Sequence, residues 1–173
     1  MANAFAAMNG LYLEDLKPGM SAMFGKTVTE ADIAGFAGVS GDTNPIHLHD
    51  GFARTTRFGQ RIAHGMLVMS FAVGLVPFDP ERVMALRRVR DVVFRRPVRL
   101  GDTVHVEGSV RALKPASDEA GLVTLGIDVL RQDARRACTA QVEVLWRAAP
   151  SGAEVAGAEV RAAPCGEDVW AVA

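Results

Sequence analysis

A chain of 173 residues, 49% of them apolar, can bury a core as a single domain and is too hydrophobic to be a disordered segment. Its 19 basic and 20 acidic side chains leave a net charge of −1, which removes any bulk electrostatic case for nucleic acid or an anionic membrane as the main partner. Two cysteines, Cys138 and Cys165, make no disulfide framework, and no basic leader precedes a long apolar run, so the expectation is a soluble cytoplasmic protein.

In chain order, the turn Lys17-Pro18-Gly19 leads into a strand expected over 20–28. The Gly-Lys-Thr at 25–27 within it is no phosphate-binding loop, because Met20 stands where that motif needs a glycine. Thr29 and Asp32 form a capping box, and Ile33, Phe36 and Ala37 follow at one-face spacing, so a helix over 30–39 is expected, stopping near Gly41. Asp42 to Pro45 reads as a loop, and Asp50 as the cap of a further short helix through Phe52 and Ala53.

The stretch GMLVMSFAVGLVPF, 65–78, is apolar on every side and uncharged, yet too short for a membrane span. A helix of that kind has to be surrounded by protein, and Pro77 and Pro80 mark its end. Beyond it the period changes to two. A strand is expected over 89–98, followed by three alternating runs: Val104, Val106, Val110 and Ala112; then Val123, Leu125, Ile127 and Val129; then Cys138, Ala140, Val142, Val144 and Trp146. A buried helix and a sheet with one apolar face imply that the sheet wraps the helix. The Ala/Gly-rich stretch 149–173 reads as a C-terminal extension to a domain over 1–148, in which Val169, Trp170 and Val172 are candidates to dock on the body or on a partner.

The chemistry concentrates in SGDTNPIHLHD, 40–50. His47, His49 and Asp50 are close enough in sequence to raise a metal site, but no further ligand cluster at the right spacing supports it. Asp42-Thr43-Asn44-Pro45 alone is a turn whose side chains bond local amides. Asp42 and His47, five apart across a Pro-stiffened loop, can also share a water, and a carboxylate and an imidazole on one water form a proton-transfer device. Asn44 lies between them as an orienting donor. Downstream, His64-Gly65 opens the apolar helix, where unpartnered amides carry partial positive charge; Gly65 either eases a tight helix start or bares its N–H to a developing oxyanion.

Together, FAGVSGDTNPIHLHDGFA, RIAHGMLVMS and FRRPVRLGDTVHVEG resemble the signature of the MaoC-like (R)-specific enoyl-CoA hydratases, over roughly 12–147. The resemblance implies an α+β hot-dog fold, with an antiparallel sheet wrapped around a long buried helix, paired as a homodimer or higher homo-oligomer. It implies reversible (R)-specific hydration of a trans-2-enoyl-CoA, with Asp42 and His47 as the acid/base pair, Asn44 in support and the Gly65 amide on the thioester oxygen. No metal or redox cofactor is implied, since coenzyme A belongs to the substrate. For that anionic substrate, His64, Arg54, Arg57, Arg61 and Arg88 are the binding candidates, within an arginine-rich region in which seven arginines over 82–99 face only Asp91. Alternatives are a branched or dicarboxylic enoyl-CoA, an acyl-carrier-protein thioester, a hot-dog thioesterase, or a non-catalytic acyl-thioester-binding dimer.

Overall fold

The computed structural model describes residues 11–76 and 78–149. The first strand, β1 (Ser21–Thr27), is followed by α1 (Glu30–Ser40), α2 (Pro45–Leu48), α3 (Asp50–Thr55) and α4 (Gly65–Gly74). Four long strands complete the chain: β2 (Val83–Phe94), β3 (Thr103–Pro115), β4 (Ala120–Arg131) and β5 (Arg136–Arg147). They form one antiparallel sheet in the order β1-β3-β4-β5-β2. Its inner face carries Val106, Val110, Leu125, Val142 and Val144, which share a single core with Leu67, Val68, Met69 and Ala72 of α4. The sheet wrapped on a helix that the alternating strands and the apolar run imply, and that the resemblance implies as a hot-dog fold, is what forms. Trp146 closes one end of the core, almost fully buried, with its Nε1–H donating to the Leu11 carbonyl at 3.0 Å.

Local signals explain the segment ahead of α4. Thr29 accepts from the Asp32 amide while Asp32 accepts from the Thr29 amide, completing the box that starts α1. Gly41 ends α1 in the left-handed region, φ 76°, a conformation that costs glycine nothing. Two starts differ from the sequence reading. Pro45 is the first residue of α2 rather than the end of a loop, because Asn44 Oδ1 accepts the Ile46 amide and proline needs no partner there. His49, not Asp50, caps α3, its Nδ1 accepting the Phe52 amide at 3.0 Å.

Three further expectations are corrected. The central helix is short, ending at Gly74 rather than near Phe78, and it is not enclosed on all sides: Met66, Ser70 and Gly74 lie exposed along one stripe. Strand β2 starts at Val83 and stops at Phe94, ahead of the expected 89–98, because the Arg95 and Arg96 amides both turn onto the Ala137 carbonyl. Ala112 faces solvent, since a bulge after Val110 leaves Arg111 unpaired in the ladder and moves Leu113 to the inner face.

Strand β2 departs most from regularity, with three register shifts against β5, the last of them around Asp91, which sits at φ 53°. Such a bulge bends a strand, and this one precedes the residues that reach the site. Among the described residues no helix is long and apolar enough to cross a membrane. The tail candidates Val169, Trp170 and Val172, like Cys165, lie outside the described residues. The extension's first residue, Ala149, donates its amide to Glu14 at 2.8 Å.

Candidate active site

The turn between α1 and α2 holds Asp42 at the surface and His47 beneath it. Asp42 Oδ1 accepts the Asn44 amide at 3.2 Å, which leaves Oδ2 facing His47 Nε2 at 3.9 Å. That gap is too long for a direct hydrogen bond and suits one water accepted by both. His47 is buried, and its Nδ1 meets the Ile62 carbonyl at 2.8 Å. A carbonyl can only accept, so Nδ1 carries a proton and Nε2 is the nitrogen turned toward Asp42.

His64 lies behind this pair rather than on a substrate-facing wall, which corrects its reading as a binding residue. It is only 2% exposed, its ring stacks on that of His47 with centroids 3.8 Å apart, and its Nε2–H donates to the Asp42 carbonyl at 2.9 Å. Phe36 of α1 packs on its edge, with centroids 5.1 Å apart. Its Nδ1 is buried without a hydrogen-bond partner among the described residues.

Gly65 follows as the first residue of α4, and no backbone bond among the described residues takes up its N–H. The tip of the Phe94 ring rests against it: a Cβ on residue 65 would lie 3.0 Å from Phe94 Cζ. His47, Gly65, Ile62, Val68 and Phe94 wall one concavity of about 340 Å³, with Arg57, Arg95 and Arg96 on its lining. Sequence reasoning did not assign Phe94, Arg95 and Arg96 to the site individually, although the Phe-Arg-Arg-Pro-Val run that places them is visible in the chain.

The remaining arginine candidates separate. Arg57 lines the concavity. Arg61 does not reach it, because its guanidinium bonds both oxygens of Glu30 at 2.8 and 2.6 Å and Asp50 at 2.8 Å. That fork holds the Glu30 carboxyl below its ordinary range. Arg88 lies six residues before Phe94 on β2, close to Glu143 at 3.9 Å, and Arg54 is exposed on α3; neither lines the concavity.

The metal trio raised by the sequence is dispersed, since His49 caps α3 and Asp50 is bound to Arg61. Asp42, His47 and His64 do bring ligand-type atoms within 4.8 Å of one another. Their geometry does not suit an ion. A nitrogen lone pair lies in its ring plane, and the two stacked rings aim side by side while each already bonds a carbonyl. The nearby thiol of Cys138, paired with Phe94 in the ladder, is pushed up to about 11 by burial and is no nucleophile.

The arrangement can hold one water between a carboxylate and an imidazole, beside a bare helix-terminal amide, in a small apolar pocket with a cationic rim. Comparisons point the same way. A family model described as a MaoC like domain matches residues 15–131. The chain is 43% identical over 104 residues to an (R)-specific enoyl-CoA hydratase of Rhodospirillum rubrum, covering 60% of this chain and 72% of the relative. It is 36% identical over 132 residues to a 3-hydroxybutyryl-CoA dehydratase of Methylorubrum extorquens, covering 76% and 75%. Among solved structures, the (R)-hydratase from A. caviae involved in PHA biosynthesis superimposes with a TM-score of 0.66 at 33% identity, over 75% of this chain and 96% of that one. A Mycobacterium tuberculosis protein described as a double hotdog fold matches with a TM-score of 0.74 at 23% identity, over 85% and 47%, a likeness of fold alone.

Proposed function

The chain belongs to the MaoC-like domain family, and from that premise we propose that Asp42 and His47 activate one water for addition to an enoyl thioester. The activity is hydration of a trans-2-enoyl-CoA to the (R)-3-hydroxyacyl-CoA, reversible as dehydration. The observation that carries the assignment of residues is the 3.9 Å separation of Asp42 Oδ2 and His47 Nε2 beside the free Gly65 amide.

The thioester carbonyl accepts the Gly65 N–H. As water attacks the β-carbon, the electron pair of the double bond moves toward that oxygen, and the amide stabilises the enolate-like transition state; losing one such donor costs about 3 kcal/mol of barrier. Asp42 and His47 remove a proton from the water and return one to the α-carbon, acting as a coupled pair. His47 lines the pocket and Asp42 lies beside it, 3.9 Å from its Nε2, so hydroxyl and proton arrive from one face, which sets the configuration of the product. Asn44 supports the pair by capping α2 and bonding Asp42. The reaction calls for no metal or redox group, because the thioester supplies the activation.

Pairing with a second copy fits the sheet. Among the described residues β2 is an edge strand paired with β5, and it carries exposed Met84, Leu86, Val89 and Val93, apolar surface that a second β2 would help to cover. Following the loss of enoyl absorbance from crotonyl-CoA tests the function; the absence of hydration would contradict it.

A further inference from the structure

The strap of backbone from Ile62 to Gly65 carries two fixed points of the site. One is the Ile62 carbonyl that meets His47 Nδ1 at 2.8 Å, and the other is the Gly65 N–H that opens α4. What holds the strap lies in the loop between β2 and β3. Ile62 faces Arg99 as an isolated antiparallel bridge, and the Ala63 amide donates to the Val98 carbonyl at 2.7 Å. The Ile62 amide reaches the Ile46 carbonyl at the longer distance of 3.4 Å. The placement of Val98 and Arg99 therefore sets that of Ile62 and Ala63.

Asp102, a buried acid that the water chemistry does not use, fixes that loop in turn. Its Oδ2 accepts the Arg99 amide at 2.9 Å, and its Oδ1 accepts the Gln132 side-chain amide at 2.7 Å. Arg131 approaches Oδ2 at 3.6 Å and donates to the Pro97 carbonyl at 3.3 Å, so one cation ties the carboxyl group to the start of the same loop. Gln132 Oε1 accepts the Thr103 amide at 3.1 Å, which turns its NH2 end toward Asp102. Two donors and a guanidinium converge on one short side chain, and only a carboxylate of that length offers an acceptor oxygen to each side.

Resting on the hydratase reading, we propose that Asp102 is a positioning residue for the reaction. Through Arg99 and Val98 it registers the strap that presents the Ile62 carbonyl to His47 and the Gly65 amide to the thioester oxygen. A shift of the strap moves the imidazole and the oxyanion donor together, so the penalty falls on turnover more than on binding.

The test is Asp102→Asn, whose single oxygen can serve Arg99 or Gln132 but not both, with Gln132→Ala at an exposed position as the milder form. The exchange Asp102→Asn/Gln132→Glu restores a donor facing an acceptor and keeps the charge beside Arg131. Kinetics on crotonyl-CoA are read with melting curves and with ¹⁵N resonances of the Gly65 amide and the His47 ring, which need no turnover. Expected for Asp102→Asn is a kcat lowered about ten-fold or more at a KM within about two-fold, with both resonances displaced. Gln132→Ala moves the same way by less, and the exchange recovers most of kcat. A lower melting temperature with kcat and resonances unchanged would overturn the proposal, as would an exchange no faster than Asp102→Asn. Should Asp102→Asn fail to fold, an unchanged kcat in Gln132→Ala overturns it equally. Wild-type protein that hydrates no enoyl thioester, while the variants still displace both resonances, would retain the control of the strap and remove the hydratase reading instead.

Discussion

The imidazole of His47 lies face to face with that of His64, ring centroids 3.8 Å apart and planes 29° apart. His64 also donates to the Asp42 carbonyl, so one buried side chain braces the ring of His47 and the backbone of Asp42, the pair proposed to share the water. A misplacement of about 1 Å can cost about 100-fold in rate. His64→Ala should therefore lower kcat by about that factor with little change in KM, and His64→Phe, which keeps the stack without the donor, should fall between. Steady-state kinetics on crotonyl-CoA separates the two.

His47→Gln removes the titratable ring whose Nε2 faces Asp42, and the expected loss in kcat is about 10²–10⁴-fold. On the proposal that the two groups serve one water, the double variant His47→Gln/Asp42→Asn should be scarcely worse than the more damaging single change. Fully multiplicative losses would mean the residues act independently.

Gly65→Ala would drive a methyl to 3.0 Å from the Phe94 ring, an overpacking that costs about 1–3 kcal/mol unless the ring moves. Phe94→Leu in the same chain should recover part of that stability and part of the rate. Thermal denaturation and kinetics on the four members of the cycle measure the coupling.

Arg61 ties α1 to the segment leading into α4 through Glu30 and Asp50. Glu30 titrates below its ordinary value in the folded state, so its contribution is present above the unfolded carboxylate range and fades as pH falls through the lowered value. Arg61→Met should destabilise the protein clearly near neutral pH, and the gap from wild type should narrow on acidification below about pH 4. Parallel melting curves across that range check the sign.

The fold was readable wherever a local signal and the tertiary environment agree. Thr29 and Asp32 announce α1, and the alternation from Val123 to Val129 and from Cys138 to Trp146 states which face of the sheet is buried. Ala112 was misread because a bulge shifts the period without any marker such as glycine. The boundaries of β2 were misread because Ala137, far along the chain, decides where the strand ends. In the site, residues close in sequence were legible: Asp42, Asn44 and His47 share one turn, and Gly65 starts a helix. Phe94, Arg95 and Arg96 come from the end of β2, far along the chain, and only folding brings them to His47. Arginines look alike in sequence, and pairing with Glu30 and Asp50 is what sets Arg61 apart from Arg57.

Chiral analysis of the hydration product of crotonyl-CoA, run side by side on wild type and Asp42→Asn, bears most directly on the shared water. The family assignment predicts (R)-3-hydroxybutyryl-CoA from wild type, and a water shared by Asp42 and His47 predicts a rate at least about 100-fold lower from the variant. An (S) product, or equal rates from the two proteins, would contradict it.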